Sequence, residues 1–179
     1  MNRIEQIRLM ASYNQWMNGK LYEAALSLPD EVLSADMQAF FGSILGTLNH
    51  LVIADTIWLK RFATHPAHYS ELEAVRKLPM PAGLNVLVCA DIQSLAAHRQ
   101  ALDRIITAWV QSIQDGDLDH VLSYANTKGV AAQRNFYSLT THFFNHQTHH
   151  RGQATTLLSQ AGADVGVTDL LALIPDETC

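Results

Sequence analysis

Residues 143–153 read FFNHQTHHRGQ, with His146 and His150 four positions apart. On an α-helix that spacing is about 40° of rotation and about 6 Å of rise. Both imidazoles then leave one face a turn apart, as two ligands of one metal ion require. His142, a further four residues back, lies at the edge of that face. The apolar residues Phe136, Leu139, Phe143, Ala154, Leu157 and Ala161 define the stripe of the same helix. His146 and His150 fall inside this stripe, opposite Thr141, Asn145, Thr148 and Thr155. A buried polar group without a partner costs roughly 1–3 kcal/mol, and one cation satisfies two imidazoles at once. The bland alternatives are a hydrogen-bonded core histidine or a chance pair on a solvated face.

A third ligand has to come from another element. His50, within GTLNHLVIAD, sits mid-helix at the flank of a buried arc, so the spacing allows it without demanding it. His65, His68, His98 and His120 read as surface or loop residues. His149 points about 60° away from His146.

Four amphipathic segments must position these groups. Residues 2–28 open with an Asn2/Glu5 capping box and stop near Pro29. Residues 43–63 carry Ile44, Leu48, Leu51, Ala54, Trp58 and Phe62 down one side. Asn49, Thr56 and Lys60 mark the expected wet side. Residues 91–114 form a third stripe, and residues 135–161 a fourth, capped by Asn135 and closed by Gly162. Between the second and third lies a long proline-containing connection, 64–90, with a short helix expected around residues 69–77. Residues 120–134 read as a small hairpin turning at 126–129. The pattern predicts an all-α four-helix bundle forming a single domain over residues 1–179.

The bulk composition narrows the function. The chain is 48% hydrophobic and 16% charged, which suits a packed core. Net charge is −5 and no basic run occurs, so a nucleic-acid partner is not expected. No segment reads as a membrane span or a secretory leader. The two cysteines, Cys89 and Cys179, make no disulfide framework and suit a cytoplasmic location. Cys89 reads as a buried structural thiol beside Val86, Leu87 and Val88. Trp16, Trp58 and Trp109 read as core aromatics. Serine-nucleophile, glycine-rich phosphate-loop and Cys-x2-Cys motifs are missing.

Three stretches resemble the DinB family: YNQWMNGKLYEAALSLPDEVL at 13–33, GTLNHLVIADTIWLKRF at 46–62, and FFNHQTHHRGQATTLLSQAG at 143–162. The resemblance implies an up-and-down variant of the four-helix bundle, often a homodimer. It also implies a metal triad that falls on His50, His146 and His150. Zinc or nickel is the first expectation for such a site, iron or copper the second. Three protein ligands with an open position are the catalytic pattern, which points to a metal-dependent hydrolase or a thiol-dependent transferase acting on an unassigned small molecule. The alternative is a non-catalytic, stress-related bundle stabilised by the ion. Ligand histidines donate their second N–H to an oxygen. Asp55, Asn14, Asn49 and Gln153 are the candidates for that role, and His142 for contact with an open metal position. Their bland readings are a helix salt bridge for Asp55, packing or surface amides for Asn14 and Asn49, and a solvated side chain for Gln153. Arg151 reads as an ion-pair or dimer residue, and Tyr124 and Tyr137 as possible pocket walls.

Overall fold

The computed structural model describes residues 1–176; Cys179 lies outside them. The chain is mainly helical, with a small two-stranded antiparallel sheet. Helix α1 spans Arg3–Leu26. The Asn2 side chain accepts from the Glu5 N–H while the Glu5 carboxylate accepts from the Asn2 N–H, the capping box that the sequence announces. A one-turn helix α2, Asp30–Ser34, follows Pro29 and was not anticipated; its signal is a proline before two acids in a first turn. Helix α3 spans Ile44–Phe62 and is capped by Ser43. A 3-10 turn, Ser70–Leu72, leads into α4, Glu73–Lys77, where a short helix is expected. Helix α5, Ile92–Ser112, is capped by Asp91.

The hairpin forms as read. Strand β1, Val121–Ala125, pairs with β2, Ala131–Asn135, and Leu122 faces Arg134. Its turn closes on Asn126 and on Gly129, whose φ of +77° suits glycine. Helix α6, Phe136–Gln160, starts at the Asn135 cap and ends at Gly162, φ +83°.

Helix α1 packs on α5 and α6, and α3 packs on α6 and α5. Phe62, near the end of α3, meets Phe136 and Phe143 at the start of α6, with Trp109 of α5 stacked on it. Earlier in α3, His50 meets the later α6 residues His146 and His150. The two helices therefore run antiparallel, with an aromatic cluster at one end and the histidines toward the other.

A buried polar network joins all four long helices. Arg99 of α5 contacts Asp55 of α3 at 2.5 Å and Asp103 of its own helix at 2.9 Å. Asn14 and Asn18 of α1 donate to Asp103. Arg151 of α6 donates to Asn14 and Gln147. Two guanidinium groups and two carboxylates balance in charge. Arg151, read from the sequence as an ion-pair or dimer residue, is an interior residue that hydrogen-bonds side-chain amides and a hydroxyl of its own chain and makes no ion pair among the described residues.

Helix α3 departs most from its sequence pattern. Asn49 and Thr56, assigned to a wet side, are buried. The connection between α4 and α5 folds over Asn49, whose side chain bonds Val88 and Cys89, a long-range cover that periodicity does not encode. His65 is also buried, against the expectation of a surface position. Cys89 is only half-buried, and its neighbours Val86, Leu87 and Val88 are exposed, so the structural-thiol reading is corrected. The chain after α6 lies along α1 rather than over a helix end: Thr168 accepts from the Tyr13 hydroxyl and Val165 from Lys20.

Candidate metal centre

His50 is carried by α3, His146 and His150 by α6. One ring nitrogen from each lies within 4.8 Å of the others, and this is the one such group of three ligand-type side chains among the described residues. The Nε2 atoms of His146 and His150 are 3.1 Å apart. Two nitrogens held about 2.05 Å from zinc at the tetrahedral angle would be about 3.3 Å apart, so this pair needs little adjustment.

The outward nitrogens are already engaged. His50 Nδ1 lies 3.0 Å from the Leu84 carbonyl, and His150 Nδ1 lies 2.7 Å from Gln153 Oε1. Both acceptors call for an Nδ1–H tautomer, which leaves Nε2 with its lone pair free. His50 Nε2 is buried and has no hydrogen-bond partner. An orphaned acceptor facing two further imidazole nitrogens is a donor set that fits a divalent cation.

The electrostatics agree. Burial pushes the His146 pKa down to about 3, with His150 and His50 adding to the effect. Burial also lowers His50 and His150, against the opposing Leu84 and Gln153 hydrogen bonds. All three imidazoles are then neutral at pH 7, the form a metal needs.

The site opens on a cavity of about 1170 Å³ lined by all three histidines, residues 80–86 and the first part of the hairpin. His146 and His150 are half-buried on its wall, not inside the core stripe. The core face of α6 is instead set by Phe143, Gln147, Arg151 and Ala154, one position round the helix. Phe41 completes the wall. Its ring stacks on His50 at 3.9 Å and meets His150 edge-on at 5.4 Å. Gly46 makes this contact possible, because a Cβ there would overlap the Phe41 carbonyl oxygen.

The other expected site residues divide. Gln153 bonds His150. Asn49 bonds no imidazole; it accepts from the Val88 and Cys89 N–H groups and donates to the Cys89 carbonyl, pinning the connection that supplies Leu84. Asp55 and Asn14 belong to the interior network around Arg99, and neither bonds a triad histidine. His142 is exposed, 5.9 Å from the His146 ring and against Trp58 at 5.0 Å. His149 is exposed. Tyr124 lines the cavity, whereas Tyr137 lies by a separate groove near the start of α1. Phe41 and Leu84 were missed. Leu84 acts through its carbonyl, which no residue type signals, and only the Gly46 at the start of α3 hints at Phe41.

A comparison with curated proteins finds Protein DinB of Bacillus subtilis (strain 168), 26% identical over 157 residues, covering 88% of this chain and 87% of that protein. No solved structure matches. The profile of the DinB family matches residues 1–177, through every element that carries the three histidines, and the chain belongs to that family.

Proposed function

We propose that this protein is a metal-dependent enzyme in which His50, His146 and His150 would hold one divalent cation at the wall of the cavity. One observation carries the reading: the buried Nε2 of His50, without a partner, faces the paired nitrogens of His146 and His150. The imidazole set favours zinc or nickel, then iron or copper. Bound there, the ion supplies Lewis acidity toward a carbonyl, a water or a thiol. The chain's own groups do the rest. Leu84 and Gln153 fix the tautomers of His50 and His150, Phe41 shields one side from water, and the cavity admits a small molecule. Hydrolysis of an ester or amide and transfer to or from a low-molecular-weight thiol are the reaction classes that fit.

A second reading is a non-catalytic, stress-related protein in which the ion braces α3 against α6. The favouring observation is that the ligands come from both helices. The opening onto a large cavity argues for the enzyme. Alongside either reading we place a four-helix, up-and-down bundle as one domain, a homodimer, and a cytoplasmic location without nucleic-acid or membrane partners. Among the described residues no helix is long and apolar enough to cross a membrane.

The test is metal analysis of protein purified without a histidine tag, repeated on His146→Ala. About one ion per chain in the parent and near none in the variant is expected. A parent without bound metal after zinc dialysis would remove the proposal. Turnover by the loaded protein in a panel of esters, amides, epoxides and thiol adducts then separates the enzyme from the brace.

A further inference from the structure

The cavity beside the histidines has an unusual lining for this chain. The protein carries 17 acidic residues and a net charge of −5, yet no Asp or Glu lines the cavity. Two cations do, Lys60 and Arg61. The Lys60 ammonium is already committed to the carbonyls of Val75, Arg76 and Leu78 at the end of α4. Arg61 is not. It makes one hydrogen bond, to the Ala125 carbonyl at 3.1 Å, and pairs with no carboxylate among the described residues. Its guanidinium is held over Trp58 at 4.5 Å and Tyr124 at 4.9 Å. Two aromatic rings against the guanidinium restrain its position, and a guanidinium with N–H groups to spare can meet a planar oxyanion in bidentate fashion. Burial lowers the Arg61 pKa, the mark of a cation short of a counter-charge.

Helix geometry sets where this group stands. Arg61 is eleven residues beyond His50 on α3, about three turns, so it shares the face of His50 with an offset of about 20° and a rise of about 16 Å. Ile57 lies between them on the same face. Most of the remaining wall is apolar, through Phe40, Phe41, Met80, Leu84 and Val86, with neutral polar groups at Thr64, Asn85 and the hairpin residues Ser123, Asn126 and Thr127; Phe40 and Met80 are strongly exposed. The cavity is thus a trough free of acidic groups, apolar along Ile57, Phe41 and Leu84, with three imidazoles toward one end and a guanidinium without a carboxylate partner toward the other.

We propose that the trough binds an organic anion with an extended apolar body, its carboxylate on Arg61 and its chain along Ile57, Phe41 and Leu84 toward the histidines. This names a substrate class for the proposed metal site and rests on that reading only for what happens at the histidine end. Arg61 is then a specificity residue that selects charge.

The test is calorimetric titration of zinc-loaded and metal-free protein with decanoate, decan-1-ol and decyltrimethylammonium, which share a chain and differ in head group. Decanoate is expected to bind about tenfold tighter than decan-1-ol in both states, as one charge-assisted contact provides. Arg61→Gln should bring decanoate to the affinity of the alcohol and leave the alcohol unchanged. Arg61→Lys, which keeps the charge without the fork, should recover part of the preference. Equal binding of anion and alcohol to the parent, no binding of any probe, or a preference that survives Arg61→Gln would overturn the proposal. The metal-free arm separates the two ideas. A parent that takes up no zinc but still prefers decanoate overturns the metal reading alone, and one that binds zinc without a charge preference overturns this one alone.

Discussion

The Nδ1 atom of His50 lies 3.0 Å from the Leu84 carbonyl oxygen, which joins a helix to the connection folded over it. A carbonyl only accepts, so this contact fixes His50 in the tautomer that turns its free lone pair toward His146 and His150. Gln153 does the same for His150 from one turn further along α6. His50 and His150 are therefore already oriented for a shared cation, and ordering of this kind would raise affinity by reducing what binding has to immobilise.

Gln153→Leu tests the orienting role directly. It removes the acceptor at His150 Nδ1 while leaving all three imidazoles. Zinc affinity measured by competition with a chelator should fall roughly tenfold to a hundredfold, with the stoichiometry still near one. A variant that binds zinc as tightly as the parent would show that the Gln153 contact is incidental.

Gly46→Ala tests the role of Phe41. The added methyl would overlap the Phe41 carbonyl oxygen, a backbone atom that a rotamer change cannot move aside. The segment before α3 must shift, and the stack of Phe41 on His50 goes with it. A loss of about 1–3 kcal/mol in urea unfolding is expected, together with weaker zinc binding. Alanine ordinarily favours a helix interior over glycine by about 1 kcal/mol, so a stabilised variant would refute the close approach.

Arg99→Met tests the interior network. Asp55 and Asp103 are buried beside this guanidinium, and burial already pushes Asp55 up to about 6 while Arg99 pulls it back. Removing the cation leaves both carboxylates without an ion-pair partner and one buried negative charge in excess of Arg151, and a loss of about 3–5 kcal/mol is expected. Replacing Arg99, Asp55 and Asp103 together by apolar residues should restore much of the stability. If Arg99→Met alone is neutral, the network does not hold the helices in register.

Much of this architecture is legible in residue spacing, and the exceptions share one physical origin. The helix boundaries near residues 3, 26, 136 and 160 are set by local groups, Asn2 with Glu5, Pro29, Asn135 and Gly162, so a local reading finds them. The pair His146 and His150 follows from a four-residue step. His50 is weaker in the spacing alone, because the arc it flanks is widened to nearly the whole of α3 by a connection distant in sequence. For the same reason Asn49 looks solvated and is buried. Asp55 follows the blander of its two readings, an ion pair. Its position five residues after a ligand suggests support for the metal, yet that step turns it away from His50 by about 140°, toward Arg99. The pull of Arg99 and Arg151 inward depends on several helices meeting, and no single-helix pattern contains it.

A further histidine, His65, is buried away from the candidate metal site. Its Nδ1 accepts from the Ala67 N–H at 3.1 Å and its Nε2 donates to the Asp117 carbonyl at 3.2 Å. Only the neutral ring can do both. Burial holds its pKa below the ordinary 6.5, with the Asp117 carbonyl opposing and His120 assisting. Below pH 6.5 the unfolded chain therefore binds more protons at this residue than the folded one, and its contribution falls as the pH drops toward the folded value. Asp55 and Asp103, whose pKa values are raised, act in the opposite sense at lower pH, and the triad histidines titrate as well. Comparison with His65→Leu cancels those shared contributions. The parent should exceed the variant by about 1–2 kcal/mol at pH 7.5, and the gap in urea-unfolding free energy should narrow steadily by pH 5. A gap that stays constant or widens over that range would mean that the buried ring is not held neutral by these two hydrogen bonds.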